Sequence, residues 1–432
     1  MRISLLADYH RLKKQEWKSR DEIDAIALAK LRRQVSRAWQ YSRFYRQRFD
    51  AIGFHPEDLK SLADLQRLPL TTRTDYVGAA DTLYCSDIDI SKCIIAKSSG
   101  SSGAPVRVPL TCHDKSYRVL KELRQLTAVG FKFTDRMLVI WVPRITIDKI
   151  PAMHRLGLLR REHASVFDEE SVQLDNINRL RPDVIYTFTS NYRILAEEIL
   201  SKGLDIHKPK LLVSSAELMD DTARSIIREA FGLDPFDYYG SMEFGWIAWQ
   251  CPERKYHINS DSLVVECVRD GVPVPHGEEG DMVVTNLHSD AAPLIRYVLG
   301  DAVKLSSAKC ECGRELPMME SVTGRIADYF VLPGGRRISP YSVTSALRDV
   351  PGMRRFQVVQ EAIELIRVNV LKDECAPGPE AVQNTVLKAL GVRLEVAVDY
   401  VESLPRDPSG KFKIVKSMIL PDSGANGRGS HA

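Results

Sequence analysis

Hydrophobic residues near the amino terminus recur at the spacing of an amphipathic helix. Between Glu16 and Phe54 they lie three or four positions apart among many lysines and arginines, which predicts helical structure with one apolar face. The basic residues are typical of a solvated helix face, and a nucleic-acid role is the less favoured alternative. The pattern is carried by Ile23, Ile26, Ala27, Leu31, Val35, Trp39, Phe44 and Phe49.

The middle of the chain alternates between two kinds of segment. Short apolar, β-rich runs at residues 137–142, 184–187 and 210–214 are separated by helical patterns at residues 190–201 and 221–231. Strands that are buried on both faces appear as continuous apolar runs. This alternation therefore predicts an α/β fold with largely parallel strands.

The last part of the chain has a different pattern. After about Gly280 short strands and turns follow one another, and a compact β/α region begins at Asp328. We predict a large amino-terminal domain over residues 1–327 and a small α+β domain over residues 328–421. Residues 422–432 are polar and glycine-rich, which predicts a disordered tail.

Composition and charge favour small-molecule partners. The chain has 432 residues, of which 44% are hydrophobic and 27% charged, so it is expected to be globular. A formal net charge of only +3 gives no overall field for nucleic acid or an anionic membrane. Eight cysteines without disulfide-framework spacing suit a reducing compartment. No apolar run approaches the roughly 20 residues that span a bilayer, so we predict a cytoplasmic protein without export signal or membrane segment.

One segment has the composition of a phosphate-binding loop. It consists of Ser98, Ser99, Gly100, Ser101, Ser102 and Gly103, and an apolar, β-branched stretch follows it. Glycines allow several backbone N–H groups to converge on one anion, and the hydroxyls add further donors. A flexible linker has the same composition, so the segment alone leaves both interpretations open.

Two other turns, further along the chain, carry carboxylates. Glu243 lies just beyond a glycine in the string Tyr-Tyr-Gly-Ser-Met-Glu-Phe-Gly. It is a candidate ligand for Mg²⁺, which needs hard oxygen donors and usually bridges to nucleotide phosphates. Asp301 follows a glycine in Arg-Tyr-Val-Leu-Gly-Asp, where a carboxylate can accept hydrogen bonds from ribose hydroxyls. By itself the second string would be an ordinary turn.

Two further segments complete a set of five. Gly-Arg-Ile-Ala-Asp at residues 324–328 lies where the composition shifts, and Leu-Pro-Arg-Asp-Pro-Ser-Gly-Lys at residues 404–411 is a turn that presents a lysine. In this order and with these separations, the segments resemble the adenylate-forming superfamily of acyl-CoA synthetases, adenylation domains and luciferases. The nearest similarity is to its phenylacetate-CoA ligase and capsule-biosynthesis branch, and it covers nearly the whole chain.

The resemblance implies an enzyme that activates a carboxylic acid in two steps. The acid attacks the α-phosphate of ATP and releases pyrophosphate, and a thiol or amine then displaces AMP from the acyl-adenylate. Phosphate charge must be neutralised and the nucleophile held in line. The expected partners are ATP, Mg²⁺, a small carboxylic acid and, as the acceptor, CoA.

The resemblance also implies roles for individual residues. Residues 98–103 would cradle pyrophosphate, Glu243 would bind Mg²⁺, and Lys411 would stabilise the transition state at the α-phosphate. Asp328 matches the hinge about which the small domain rotates. The remaining nucleotide contacts would be Asp301 and Arg325 at the ribose, and Ala216, Glu217, Tyr239 and Gly240 beside the adenine, with Ser241 in the same group.

The chain departs from the family pattern at three places. Ala104 stands where the phosphate loop commonly has a lysine, a cationic contact that is lost or supplied by Arg107. Met242 replaces the usual threonine before the glutamate, so Mg²⁺ and ATP binding are expected to be weaker. Residues 141–144, Trp-Val-Pro-Arg, replace a glycine-rich segment, so the pocket need not fit phenylacetate. Arg144 is a candidate for a second acidic group on the substrate, with a surface or ion-paired arginine as the alternative.

Other functions share some of these motifs. An amide-forming ligase and an enzyme that acylates a carrier protein use the same acyl-adenylate and differ in the acceptor. A non-catalytic nucleotide-binding regulator is favoured by Ala104 and Met242, whereas Glu243 and Lys411 argue against it. A P-loop ATPase and a dinucleotide oxidoreductase are disfavoured because their glycine-rich strings are missing.

Cysteine and histidine pairs predict a structural metal site. Cys251 and His257 lie in one segment, and Cys310 and Cys312 lie in a later one. Two such pairs fit a closed, tetrahedral zinc site. Cys-x-Cys is less diagnostic than Cys-x-x-Cys, so buried cysteines without metal are the alternative. Similar sites in relatives of this branch favour zinc.

Overall fold

The computed structural model of the chain describes residues 3–97, 106–142, 152–325, 330–334, 337–338, 343–344, 346–347, 349–353, 355–372, 374–404, 412 and 414–419. Two compact units, Met1–Val322 and Thr323–Ala432, make up the chain.

Helices open the first unit. The predicted helical stretch forms α2 (Arg20–Tyr41) and α3 (Arg43–Asp50), after α1 (Ile3–Gln15). Ser19 starts α2 with a capping box, and Ser42 ends α2 and caps α3. The short helices that follow are 3₁₀ turns at Pro56–Asp58, Leu62–Arg67 and Ile90–Lys92, together with α4 (Arg73–Gly78) and α5 (Ala80–Leu83).

Strands β1 (Ile94–Lys97) and β2 (Arg107–Leu110) form a separate antiparallel pair. The main sheet has 12 strands within the described ranges. Its strands are β3 (Arg136–Trp141), β4 (Arg160–Ser165), β5 (Val184–Phe188), β6 (Leu211–Ser215), β7 (Phe236–Ser241), β8 (Gly245–Gln250), β9 (Tyr256–Ile258), β10 (Leu263–Arg269), β11 (Val272–Pro273), β12 (Glu279–Asn286), β13 (Tyr297–Ser306) and β14 (Met318–Arg325).

The sheet is parallel on one side and antiparallel on the other. Its order is β11-β10-β12-β13-β14-β9-β8-β7-β6-β5-β3-β4. Strands β4, β3, β5, β6 and β7 are parallel neighbours. Parallel neighbours need long crossover connections, and helices supply them here. On the other side of β7 the described strand pairs are antiparallel, and a tight turn joins β7 to β8. The α/β prediction is thus confirmed, with parallel strands in only part of the sheet. The helices of this region are α6 (Cys112–Ala128), α7 (Ala152–Arg155), α8 (Glu170–Leu180), α9 (Thr189–Lys202) and α10 (Asp221–Phe231).

Alternating residues of the parallel strands bury two faces of the sheet. On β3, Leu138 and Ile140 pack in a cluster with residues of α8, α9 and α10. Met137 and Val139 pack in a second cluster with residues of α1 and α6. Because side chains alternate along a strand, one apolar run supplies both layers. The carboxyl ends of these strands therefore meet at one edge between two helical layers.

The second unit has its own core. Strands pair in the order β19-β18-β17-β20, and Val358, Ile366 and Val368 lie in its buried cluster. Its elements are β15 (Phe330–Val331), β16 (Arg337–Ile338), β17 (Phe356–Ala362), β18 (Leu365–Leu371), α11 (Pro379–Leu390), β19 (Glu395–Val401) and β20 (Val415–Ser417). No helix in the described ranges of the chain is long and apolar enough to cross a membrane.

Candidate active site

The turn between β7 and β8 is built around two glycines. β7 ends at Ser241, which pairs with Gly245 at the start of β8. A Cβ added to Gly240 would lie 2.4 Å from the Gly245 carbonyl oxygen, so only glycine fits there. Gly245 has a φ of +67°, in the left-handed region. This tight turn presents residues 242–244 at the edge of the sheet.

Glu243 is the carboxylate that this turn presents. It is only 6% exposed, and no residue in the described ranges donates a hydrogen bond to its carboxylate or forms an ion pair with it. Burying a charged group in this way is costly unless cations lie nearby, and the Arg118 guanidinium interacts electrostatically with Glu243 without pairing directly with its carboxylate. Carboxylate oxygens are the donors that Mg²⁺ prefers. The environment of Glu243 therefore fits a divalent cation.

Asp301 and Tyr239 bring two of the sequence segments together. Asp301 lies on β13, and the hydroxyl of Tyr239 on β7 donates a hydrogen bond to its carboxylate. The two residues are 62 positions apart in the chain, and both are partly buried. The fold thus joins the tyrosine expected beside the adenine to the aspartate expected at the ribose.

Ala216 and Glu217 follow β6 at the same edge of the sheet. Ala216 has a φ of +68°, which turns the chain sharply at the end of the strand. The carboxylate of Glu217 accepts hydrogen bonds from the backbone N–H of Ser190, at 2.7 Å, and from its hydroxyl, at 3.0 Å. Glu217 therefore caps the first turn of α9. The sequence signal did not predict this role.

Aromatic side chains on or next to β3, β5, β7 and β8 lie close together. The rings of Trp141 and Tyr186 stack at a centroid distance of 5.4 Å, and Trp141 lies 3.8 Å from Phe188. Trp246 approaches Tyr186 and Tyr238 at 6.3 and 5.8 Å. The Tyr186 hydroxyl lies 2.8 Å from the Ser215 hydroxyl. These rings offer an apolar, aromatic surface close to the Glu243 turn.

The four predicted soft ligands form one cluster. Cys251 directly follows β8, His257 lies on β9, and Cys310 and Cys312 lie between β13 and β14. Their ligand atoms are all within 4.8 Å of one another. Sγ of Cys251 is 3.6 Å from Sγ of Cys310, and Sγ of Cys312 is 3.3 Å from Nε2 of His257.

The histidine of this cluster has the orientation of a metal ligand. Nδ1 of His257 lies 3.3 Å from the carbonyl oxygen of Leu316. When Nδ1 donates its proton to that oxygen, the lone pair of Nε2 faces the thiols. Three thiols and one imidazole supply the four donors of a tetrahedral zinc site.

The basic face of α6 escaped the sequence analysis. Arg118, Lys121 and Arg124 are spaced three residues apart, so they lie on one side of the helix. Arg124 is fully buried and pairs with Asp261, with 2.6 Å between its NH1 and the nearer carboxylate oxygen. The available signal in the sequence was the spacing of three, which places these basic residues on one helix face. Their burial is unusual for basic residues, and only the structure shows it.

Sequence comparison relates the chain to known ligases. A family model described as the CapK C-terminal domain matches residues 330–418. "Phenylacetate-coenzyme A ligase" of Thermus thermophilus is 26% identical over 436 residues, covering 92% of this chain and 96% of that protein. The protein of the same name from Aromatoleum evansii is 29% identical over 330 residues, 73% of each chain. By these matches the chain is similar to the phenylacetate-CoA ligases and to CapK over most of its length.

A solved member of the adenylate-forming family has the same fold. 2-Hydroxyisobutyryl-CoA ligase, in its postadenylation state with 2-HIB-AMP, gives a TM-score of 0.76 at 23% identity. The match covers 91% of this chain and 89% of that one. At this identity the likeness establishes the fold, and the expected adenylate-forming fold is confirmed.

Several family segments fall outside the described residues. They include the serines and glycines at positions 98–103, Ala104, Arg144, Asp328 and Lys411. Arg325 ends β14, and only its backbone is described. On either side of the serine- and glycine-rich segment, Lys97 of β1 pairs with Arg107 of β2. Of the predicted nucleotide-site residues, the structure describes the side chains or backbone of residues 239–243, Asp301, Ala216 and Glu217, and it joins Tyr239 to Asp301.

Proposed function

We propose that this protein is an AMP-forming ligase that activates a carboxylic acid with ATP and transfers the acyl group to CoA. The observation that carries the proposal is the hydrogen bond between Tyr239 and Asp301, which joins two segments that the resemblance assigns to the nucleotide. Two relatives of this chain are named phenylacetate-coenzyme A ligase. The aromatic surface beside the Glu243 turn supports an acid with an apolar or aromatic body.

We assign the roles within this reaction as follows. Glu243 would hold Mg²⁺, which neutralises phosphate charge as pyrophosphate leaves. Asp301 and Arg325 would bind the ribose, and Lys411 would stabilise the developing charge at the α-phosphate. The remaining nucleotide contacts are Ser98, Ser99, Gly100, Ser101, Ser102 and Gly103 at the pyrophosphate, and Ala216, Glu217, Tyr239, Gly240 and Ser241 near the adenine.

The domain organisation belongs to the same proposal. Residues 1–327 would bind ATP and the acid, and residues 328–421 would bring Lys411 to the first reaction step. Asp328 would be the hinge between the two reaction steps. Residues 422–432 would be a disordered tail.

ATP–pyrophosphate exchange over a panel of aryl, indolyl, fatty and amino acids tests the first step. Trapping with hydroxylamine scores any acyl-adenylate, and parallel reactions with CoA, amines and carrier proteins identify the acceptor. We expect exchange with at least one acid, a CoA product, and a loss of about 10²- to 10³-fold in Lys411→Ala. Unchanged exchange in that variant would refute the role of Lys411. A product with an amine or carrier protein alone would replace CoA as the acceptor.

We also propose that Cys251, His257, Cys310 and Cys312 hold a structural zinc ion. The donor set and the orientation of His257 support this assignment. All four positions are filled by protein, so the ion would contribute to stability and take no part in catalysis. The cluster needs reduced thiols, which supports the cytoplasm as the compartment. Metal analysis of the purified protein should give one zinc per chain, and folded protein without zinc would reject the site.

A further inference from the structure

Arg118 on helix α6 contacts the turn that carries Glu243. The guanidinium NH1 of Arg118 donates a hydrogen bond to the carbonyl oxygen of Met242 at 2.9 Å, and NH2 donates to the carbonyl oxygen of Glu243 at 2.5 Å. The stem of Arg118 also lies against Gly245, where an added Cβ would be 3.4 Å from its Cδ. One side chain therefore contacts both ends of the turn.

The two carbonyls belong to the peptide planes on either side of the Glu243 Cα. Because each peptide unit is planar, fixing both carbonyl directions restricts both backbone dihedrals of that residue. The guanidinium is itself a rigid planar fork, and its hydrogen bonds are charge-assisted. The direction in which the Glu243 side chain leaves the backbone is thus set by Arg118.

Lys121 continues this support one helical turn along α6. It is 3% exposed, and its Nζ lies 3.3 Å from the carbonyl oxygen of Trp246 and 3.5 Å from that of Phe244. Within the described residues it forms no ion pair at salt-bridge distance. Burial lowers the pKa of Lys121 to about 7. Burying a lysine here is costly, and its hydrogen-bond acceptors are the carbonyls of Phe244 in the turn and of Trp246 on β8.

The helix that carries these cations is itself held in place. Arg124 bonds to Asn259 through NH2 and pairs with Asp261. The side-chain amide of Asn259 donates in turn to the carbonyl oxygen of Trp246 at 3.0 Å. Trp246 therefore receives hydrogen bonds from Lys121 and Asn259. The turn rests on a connected polar network rather than on a single contact.

We propose that Arg118 and Lys121 are positioning residues for the Glu243 carboxylate, holding its backbone so that the carboxylate oxygens meet Mg²⁺ during adenylation. This inference rests on the proposed function, since it assumes that Glu243 binds the metal. Neither residue would touch substrate. Groups that orient a metal ligand from behind typically affect metal affinity or activity by about 10- to 100-fold.

The test compares Arg118→Met, Arg118→Lys and Lys121→Met with Lys115→Met, which removes an exposed charge from the same helix. One assay measures the Mg²⁺ dependence of ATP–pyrophosphate exchange. A second measures CoA transfer from the preformed acyl-adenylate, the step after the phosphates have left. A third measures Mn²⁺ binding by electron paramagnetic resonance in the presence of α,β-methylene ATP, which cannot release pyrophosphate.

We expect Arg118→Met to raise the half-saturating Mg²⁺ concentration about 10-fold and to weaken Mn²⁺ binding in parallel. CoA transfer from the acyl-adenylate should change less than about 2-fold, which a general structural defect would not allow. Arg118→Lys keeps the charge but replaces the two nitrogens of the fork by a single ammonium, which cannot reach both carbonyls with the same geometry, so it should give a partial rescue. Lys121→Met should show a smaller shift of the same kind, and Lys115→Met should show none.

The inference is overturned if Arg118→Met binds Mn²⁺ as wild type does, or if both half-reactions fall equally. If Arg118→Met does not fold, Arg118→Lys and Lys121→Met decide in the same assays, and unchanged Mn²⁺ binding in both rejects the inference. Failure of the proposed function looks different. In that case the wild-type protein shows no exchange with any acid, and the Mn²⁺ measurement still decides whether Arg118 positions Glu243.

Discussion

The two ends of strand β8 carry opposite kinds of site. Glu243 precedes the strand, and Cys251 follows it, so about 20 Å of extended chain separates them. At the first end, a buried carboxylate has no hydrogen-bond donor in the described part of the chain. At the other end, three thiols and an imidazole lie within 4.8 Å of one another. One end offers a single hard ligand, and the other offers four soft ligands that together could fill a tetrahedral site.

Under the proposed function, one strand would serve catalysis at one end and stability at the other. A hard, open ligand suits a metal that arrives with its nucleotide, whereas a complete set of soft ligands suits a metal that stays with the fold. The groups that hold the two ends of the strand also differ. Side chains of α6 hold the carbonyls at the Glu243 end, while at the other end the Leu316 carbonyl orients His257. Substitutions at one end should therefore leave the other end intact.

The largest effect is expected from Glu243→Gln, which removes the negative charge and keeps the shape. ATP–pyrophosphate exchange should fall about 10²- to 10³-fold, as it does when one group that stabilises transition-state charge is lost. Zinc content and thermal stability should stay at the wild-type level. Exchange rates at saturating MgATP, measured with metal analysis of the same sample, check both statements. A wild-type rate would show that Glu243 is not the magnesium ligand.

Cys312→Ser tests the other end of β8. With one soft ligand lost, we expect the zinc content to drop and the apparent melting temperature to fall by about 5 °C or more, because bound metal stabilises only the folded state. Exchange per folded molecule should change less than about 3-fold. Cys93→Ser is the matched control, since Cys93 lies outside the cluster. A large loss of exchange with the zinc still bound would end the separation between the two sites.

Asp237 provides a test with a pH signature. It lies on β7, where its backbone N–H donates to the Gln250 side chain at 3.0 Å and its carboxylate accepts from the Tyr256 hydroxyl. Burial raises the pKa of Asp237 to about 7, although the Tyr256 hydrogen bond opposes the rise. The unfolded chain releases this proton near pH 4. Between about pH 4 and 7 the folded state binds the extra proton, so stability falls as the pH rises.

We expect Asp237→Asn, which cannot ionise, to flatten this part of the stability profile. Relative to wild type, the variant should gain on the order of 2 to 3 kcal/mol between pH 5 and pH 8, since about two pKa units fall in this window and one pKa unit is worth about 1.4 kcal/mol. Denaturant unfolding at a series of pH values measures the difference. A variant that loses stability relative to wild type as the pH rises from 5 to 8 would mean that Asp237 is ionised in the folded protein. Exchange activity should be unaffected, which separates this buried carboxylate from Glu243.

The smallest effect is expected from Tyr239→Phe. The substitution removes the donor to Asp301 and leaves the ring, at a cost of about 1 kcal/mol. Because Tyr239 fixes the direction of the Asp301 carboxylate, KM for ATP should rise about 3- to 10-fold with little change in kcat. Steady-state kinetics with ATP as the varied substrate gives both values. A fall in KM would show that the tyrosine competes with the ribose instead of orienting its ligand.

Much of this protein was predictable from short strings. The Cys251, His257, Cys310 and Cys312 pairs indicated a metal site because soft ligands in pairs have few other uses, and the structure brings all four together. Glu217 shows the limit of such strings. It was assigned to the adenine by resemblance, and the structure adds a helix cap that depends on Ser190, a residue brought near only by the β5–α9 connection.

By itself the sequence determined the α/β alternation, the resemblance to adenylate-forming ligases and the inventory of reactive groups, because these depend on local periodicity and on the order of motifs. The tertiary structure decided which groups meet. Tyr239 reaches Asp301 although β8, β9 and β14 lie between β7 and β13 in the sheet order, and Arg118 reaches the Glu243 turn because α6 packs beside β8. Contacts of this kind depend on strand order and helix packing over more than 60 residues, which no local pattern specifies.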